Sequence, residues 1–82
     1  MSSLSKNLPK LEALAVDIKF GKSTLVILLA DGREISMPLE WSEKLRKANS
    51  KQRNKWRLIG GGVGIHWQAL DEDILVESLL RG

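Results

Sequence analysis

The chain contains no cysteine, which removes disulfides, thiolate metal sites and cysteine nucleophiles together. That absence suits a reducing compartment. Long apolar runs are also missing. The longest, Leu25 to Ala30, is far too short to cross a bilayer, and the opening residues MSSLSKNLPK have no apolar stretch of signal-peptide type. A cytoplasmic location, with no membrane partner, is the expectation. There is one histidine, His66, so a zinc site of three or four converging ligands cannot be assembled from histidine and cysteine. Glycine, by contrast, is concentrated. Four of the seven glycines fall between Gly60 and Gly64, a density that suits positive φ, a bulge or close backbone approach rather than a regular element.

With 82 residues, of which 43% are hydrophobic and 28% charged, the composition is that of a small folded domain. A chain of this size buries only about 60 to 65% of the surface its unfolded form exposes, so there is room for one core. Nearly every large apolar side chain must contribute to that core, and a homodimer is one way to cover the remainder. The net charge of +3 is too modest to identify a nucleic-acid binder by itself.

Residues 1–10 are polar and read as a flexible N-terminal arm, leaving 11–82 as a single α+β domain. No internal repeat or low-complexity segment is evident. Leu14, Val16 and Ile18 alternate with Ala15, Asp17 and Lys19, the period of a strand with one buried face. Thr24 to Ala30 is β-branched and apolar throughout, as in a central strand buried on both faces. Asp31-Gly32 signals a two-residue type I′ hairpin, which folds Arg33 to Met37 back antiparallel until Pro38 ends the strand.

Beyond it, Trp41, Leu45 and Ala48 (i, i+4, i+7) mark one face of a short helix. Ser50 is placed to cap a second helix over Lys51 to Lys55, with Trp56 and Ile59 anchoring its exit. Gly64 to Trp67 reads as a returning strand, and Ile74, Val76, Leu79 and Leu80 as a C-terminal helical turn. The expected fold is α+β, a three- to four-stranded antiparallel sheet with two or three short helices.

The run DGR-x-I-S-x-P-L from Asp31 to Leu39 is followed by Trp41, Leu45, Ala48, Gln52-Arg53 and Trp56. Then comes Ile59 through GGGVGIHW to LDEDI-x-V-E-x-LL. Over roughly residues 11–82 these motifs resemble a widespread bacterial family of small domains of unknown function. The glycine string with Ile-His-Trp and Leu-Asp-Glu-Asp is the most specific part. The resemblance implies a small α+β protein, in some members fused to helix-turn-helix domains and often encoded beside another small protein in toxin–antitoxin-like pairs. It transfers no activity. The chain departs from the family pattern at Gln68 (usually proline), at Ser42-Glu43-Lys44 (usually containing proline and arginine), at Leu75 (usually a capping serine) and at Ser78 (usually glycine). These departures bear on a local turn and on the start of the last helix.

Two surfaces qualify as candidate sites. The first joins His66 to the acidic run Asp71, Glu72 and Asp73. In a strand, His66 points away from Ile65 and Trp67, so burial of those two turns it outward toward solvent or a partner. The three carboxylates fit the start of a helix, where dipole and free N–H groups favour negative charge; the alternative is an acidic patch for a basic partner segment. The second surface is the basic stretch Lys44, Arg46, Lys47, Lys51, Arg53, Lys55 and Arg57, opposed between Trp41 and Arg57 only by Glu43. It is a candidate nucleic-acid contact, but no recognition-helix or base-stacking pattern accompanies it, so a solvated face is the favoured reading and protein contacts the other alternative. The glycine run lacks the Gly-Lys-Ser/Thr and following helix of a phosphate loop. Trp41, Trp56 and Trp67 sit at apolar-periodic positions and read as core or rim anchors.

The favoured function is a non-enzymatic protein-interaction module without a cofactor or small-molecule ligand, its partner a small toxin or a second copy. Its contacts are His66, Asp71, Glu72 and Asp73. A nucleic-acid-binding regulator using residues 44–57 is the runner-up, and a metal-dependent enzyme the weaker third.

Overall fold

The computed structural model describes residues 13–81. The N-terminal arm expected over 1–10 lies outside them. Two three-stranded antiparallel sheets replace the single sheet expected from the sequence. The first is formed by β1 (Ala15–Phe20), β2 (Thr24–Leu29) and β3 (Glu34–Pro38), in the order β1-β2-β3. A 3₁₀ turn (Leu39–Trp41), α1 (Glu43–Lys47) and α2 (Ser50–Arg53) lead to the second sheet. That sheet comprises β4 (Arg57–Ile59), β5 (Gly64–Trp67) and β6 (Glu72–Leu75), with a 3₁₀ turn (Gln68–Leu70) before β6 and α3 (Val76–Leu80) after it.

In the first sheet β2 is central, as expected, and its Leu25, Ile27 and Leu29 are buried while Thr24, Val26 and Leu28 on the other face are half-buried. Register sets the inward rows: Phe20, Leu25 and Met37 share one, and Ile18, Ile27 and Ile35 the next. The alternation expected of β1 fails at Val16, which is 54% exposed. The register shifts between Ala15 and Asp17, so Val16 is the extra residue of a β-bulge. Ala15 and Ile18, three positions apart, consequently both face the core.

The hairpin after β2 also differs from the type I′ turn. Leu29 N–H donates to Arg33 O and Gly32 N–H to Leu29 O, while Gly32 is at φ 94° and Asp31 keeps a negative φ. This is a three-residue loop closed by a glycine bulge. Asp31 fixes it by accepting from the Arg33 N–H (3.0 Å) and the Arg33 Nε (2.8 Å).

The helix expected to run through Trp41, Leu45 and Ala48 is interrupted. Ser42 takes an extended backbone, accepts at Oγ from Leu45 N–H and caps α1. Leu45 is fully buried, whereas Trp41, outside the break, is 64% exposed. The second helix begins one residue earlier than expected because Asn49, not Ser50, caps it. Asn49 and Gln52 form a reciprocal capping box.

Buried residues from both sheets, with Leu39, Leu45 and Val76, form one apolar cluster. Its largest member is Trp67, whose indole Nε1 donates to Arg53 O at 3.0 Å and whose ring meets Phe20 edge-on at 6.4 Å. Arg53 completes this junction: its Nε donates to Leu45 O (2.9 Å), its Nη2 to Arg46 O (3.0 Å), and its guanidinium lies 5.5 Å above the Phe20 ring. At the other end, Ala15 N–H donates to Gly62 O at 2.8 Å, joining β1 to the glycine loop. Among the described residues no helix is long and apolar enough to cross a membrane.

Candidate functional site

The second sheet positions the first candidate surface. Ile65 and Trp67 are fully buried, so strand periodicity turns Gly64 and His66 to the opposite, outer face. Register places Arg57, His66 and Asp73 in one row across β4, β5 and β6, and Ile59, Gly64 and Leu75 in the next. His66 Nδ1 is hydrogen-bonded to the Asp73 carboxylate directly opposite. The His66 side chain is 18% exposed, so it is a half-buried, paired group rather than a freely exposed one.

The acidic run does not begin a helix. Asp71 takes the left-handed conformation (φ 51°) at the end of a 3₁₀ turn, and Glu72 and Asp73 open β6. Successive residues of a strand face opposite ways, so the three acids are divided rather than pooled. Asp73 faces His66. Glu72, paired in register with Trp67, turns inward and accepts a 2.5 Å hydrogen bond from the buried Ser42 hydroxyl. Asp71 contributes its carbonyl, which accepts from Lys44 Nζ at 2.8 Å. The start of the last helix falls instead at Val76, where Leu75 stands at the N-cap and supplies no side-chain bond.

Two grooves flank this strand. One, about 470 Å³, is lined by Trp41, Ser42, Glu43, Lys44, Lys47 and Glu72. Its charges are largely arranged in pairs, Lys47 with Glu43 at 2.7 Å and Lys44 with the Asp71 carbonyl, and the exposed Trp41 indole is its apolar element. The other, about 420 Å³, is lined by Lys55, Trp56, Arg57, His66, Gln68 and Ala69.

The basic stretch is likewise divided. Lys44, Lys47 and Arg53 are committed to bonds within the fold, while Arg46, Lys51, Lys55 and Arg57 have no side-chain hydrogen bond or ion pair among the described residues. Among the described residues no group of three or more His, Asp or Glu side chains is placed to hold a metal ion.

The sequence leaves Trp41 open as a core or rim anchor, because its spacing from Leu45 and Ala48 mimics one helical face, and does not single it out as a site residue. Sequence reasoning also missed Gln68 and Trp56 as neighbours of His66. The signal for Trp41 was Ser42, a capping residue placed immediately before an apolar-periodic segment.

Comparison with known families places residues 15–82 in the match to a model described as a protein of unknown function, DUF2442. No curated protein sequence is measurably similar to the chain. Two solved structures share its fold. A protein of unknown function from Rhodospirillum rubrum is 24% identical with a TM-score of 0.74, over 88% of this chain and 89% of that one. An uncharacterised protein from Chromobacterium violaceum, determined by solution NMR, is 18% identical with a TM-score of 0.72, over 98% of this chain and 72% of that one.

Proposed function

Because the chain belongs to the DUF2442 family, whose description names no activity, we propose its role from the surface itself: a non-enzymatic protein-interaction module that docks a small partner protein on the groove around Trp41. The observation that carries this reading is the 64% exposure of Trp41 in a chain that buries Trp67 completely. A large indole left in water beside a groove of both charge signs is the composition of an interface anchor, since tryptophan dominates binding hot spots and the surrounding polar groups form the rim.

Asp71 and Glu72 belong to this surface as its rigid wall. Glu72 lines the groove and Lys44 is tied to the Asp71 carbonyl, so the groove is organised before a partner arrives and little ordering cost remains. His66 and Asp73 lie on the other face of the sheet and are not part of it. The partner's kind follows from the resemblance to families in toxin–antitoxin-like gene pairs: a small toxin encoded by the adjacent gene, which this protein neutralises by covering it.

Co-expression of the tagged chain with the adjacent gene's product tests the proposal. Stoichiometric co-purification that Trp41→Ala abolishes supports it. A partner that co-purifies equally with both forms places the interface elsewhere, and a chain that elutes alone contradicts a stable complex.

A further inference from the structure

We propose that the second groove, on the outer face of the β4-β5-β6 sheet, binds a nucleotide unit: a planar base joined to a phosphoryl group. This goes beyond the partner surface at Trp41, and the two are separable because Glu72 and His66 face opposite sides of the sheet.

The walls supply the chemistry. Lys55 and Arg57 flank Trp56 in the chain, and all three line the groove. Neither cation has a side-chain partner among the described residues, whereas Lys44, Lys47 and Arg53 are each used within the fold. Two uncommitted cations beside an indole answer to an anion carried next to a flat ring, because the guanidinium and ammonium pair with phosphoryl oxygens and the indole stacks on a base. His66 stands directly across from Arg57 on β5. Its Nδ1 is held by Asp73, which fixes the ring and leaves Nε2 as the nitrogen available to a hydroxyl or amino group of the ligand. Gln68 adds an amide with both a donor and an acceptor, the same pairing that a base edge presents. The groove volume of about 420 Å³ falls among small-ligand sites.

An acidic peptide would satisfy the cations but leave the Gln68 amide and the groove-lining part of the Trp56 indole, which otherwise packs half-buried on the core, without a contact. Asp73, the carboxylate of this face, is turned to His66. The nucleotide unit has two sources, a free mononucleotide or one residue of a single strand.

The test is ¹H–¹⁵N NMR of the full chain titrated with 5′-AMP, adenosine, inorganic phosphate, a single-stranded oligo-dA hexanucleotide and a hexaglutamate peptide. With 5′-AMP, saturable shifts are expected at the Trp56 indole and at the backbone of residues 55–57 and 66–69. Adenosine and phosphate should each bind at least about tenfold more weakly, and Arg57→Ala should weaken AMP about tenfold or more, the loss expected for one charge-assisted contact. A hexanucleotide that binds more tightly than AMP, with affinity falling steeply in salt, assigns the strand; equal affinity assigns the free nucleotide. The proposal is overturned if neither AMP nor the hexanucleotide shifts these residues at millimolar concentration. It is equally overturned if phosphate or hexaglutamate binds as well as AMP, or if Arg57→Ala leaves the affinity unchanged.

Discussion

The Ser42 hydroxyl donates a 2.5 Å hydrogen bond to Glu72, thirty positions later in the chain, while its oxygen accepts from Leu45 N–H. One buried hydroxyl thus caps α1 and ties that helix to the first residue of β6. The bond explains why a carboxylate in the acidic run is structural: Glu72 is the acceptor for a hydroxyl shut away from water, and losing Glu72 leaves that hydroxyl's proton without a partner.

Ser42→Ala should lower stability by about 1 to 2 kcal/mol, the usual range for a lost N-cap. Glu72→Gln, which keeps an acceptor oxygen, should cost less than Glu72→Ala. Urea unfolding of the single and double variants reads this directly. Strict additivity of Ser42→Ala and Glu72→Ala would show that the two do not interact.

The glycine loop gives a sharper contrast. Gly61 (φ 71°) and Gly62 (φ 116°) both occupy conformations that side chains resist. A Cβ on Gly61 meets nothing within 4 Å, whereas one on Gly62 falls 2.6 Å from Ala15 O and 3.0 Å from Ala15 N. Gly61→Ala should therefore cost about 1 to 2 kcal/mol for the positive φ alone. Gly62→Ala should cost clearly more, because it also forces apart the backbone contact between β1 and the loop. Equal midpoints of denaturant unfolding would count against the close approach.

Asp31 supplies a pH dependence. Its hydrogen bonds from the Arg33 side chain and backbone hold its carboxyl below the ordinary aspartate value. A carboxylate whose folded pKa is depressed stabilises fully above its unfolded value, near about 3.9, and the contribution is lost as the pH falls through the lower folded value. Carboxyl NMR titration should find Asp31 ionised below pH 3.9. Arg33→Ala should return it to the ordinary range, and the small stability difference between the wild type and Arg33→Ala should vanish in acid. The pair is exposed, so the effect is modest.

Legibility in the sequence followed how local the deciding interaction was. Gly64 to Trp67 was read correctly because glycine punctuation and alternation agree there, and the outward turn of His66 followed from it. β4 and β6 were not visible as strands. Arg57–Ile59 is only three residues long, and Glu72–Leu75 opens with two acids of low strand propensity, so both strands exist because β5 pairs with them on either side. The partnership of His66 with Asp73 is a consequence of that pairing and was hidden with it. At β1 the bulge, made where Ala15 turns its N–H to Gly62, displaced Val16 from the core in a way period-two reasoning cannot see. Asn49 and Gln52 carried a readable capping box, but the more familiar serine beside them drew the cap one residue too late.

Trp41 remains the centre of the functional account, and its exposure allows binding to be separated from folding. The most direct measurement is isothermal titration of the purified adjacent-gene product into the wild type and Trp41→Ala, with urea unfolding of both. The account predicts wild-type binding, a rise in Kd of about thirtyfold or more on removing the indole, the equivalent of roughly 2 kcal/mol, and unfolding free energies within about 0.5 kcal/mol of each other. Equal affinity of the two forms, or no heat of binding from the wild type, would contradict it.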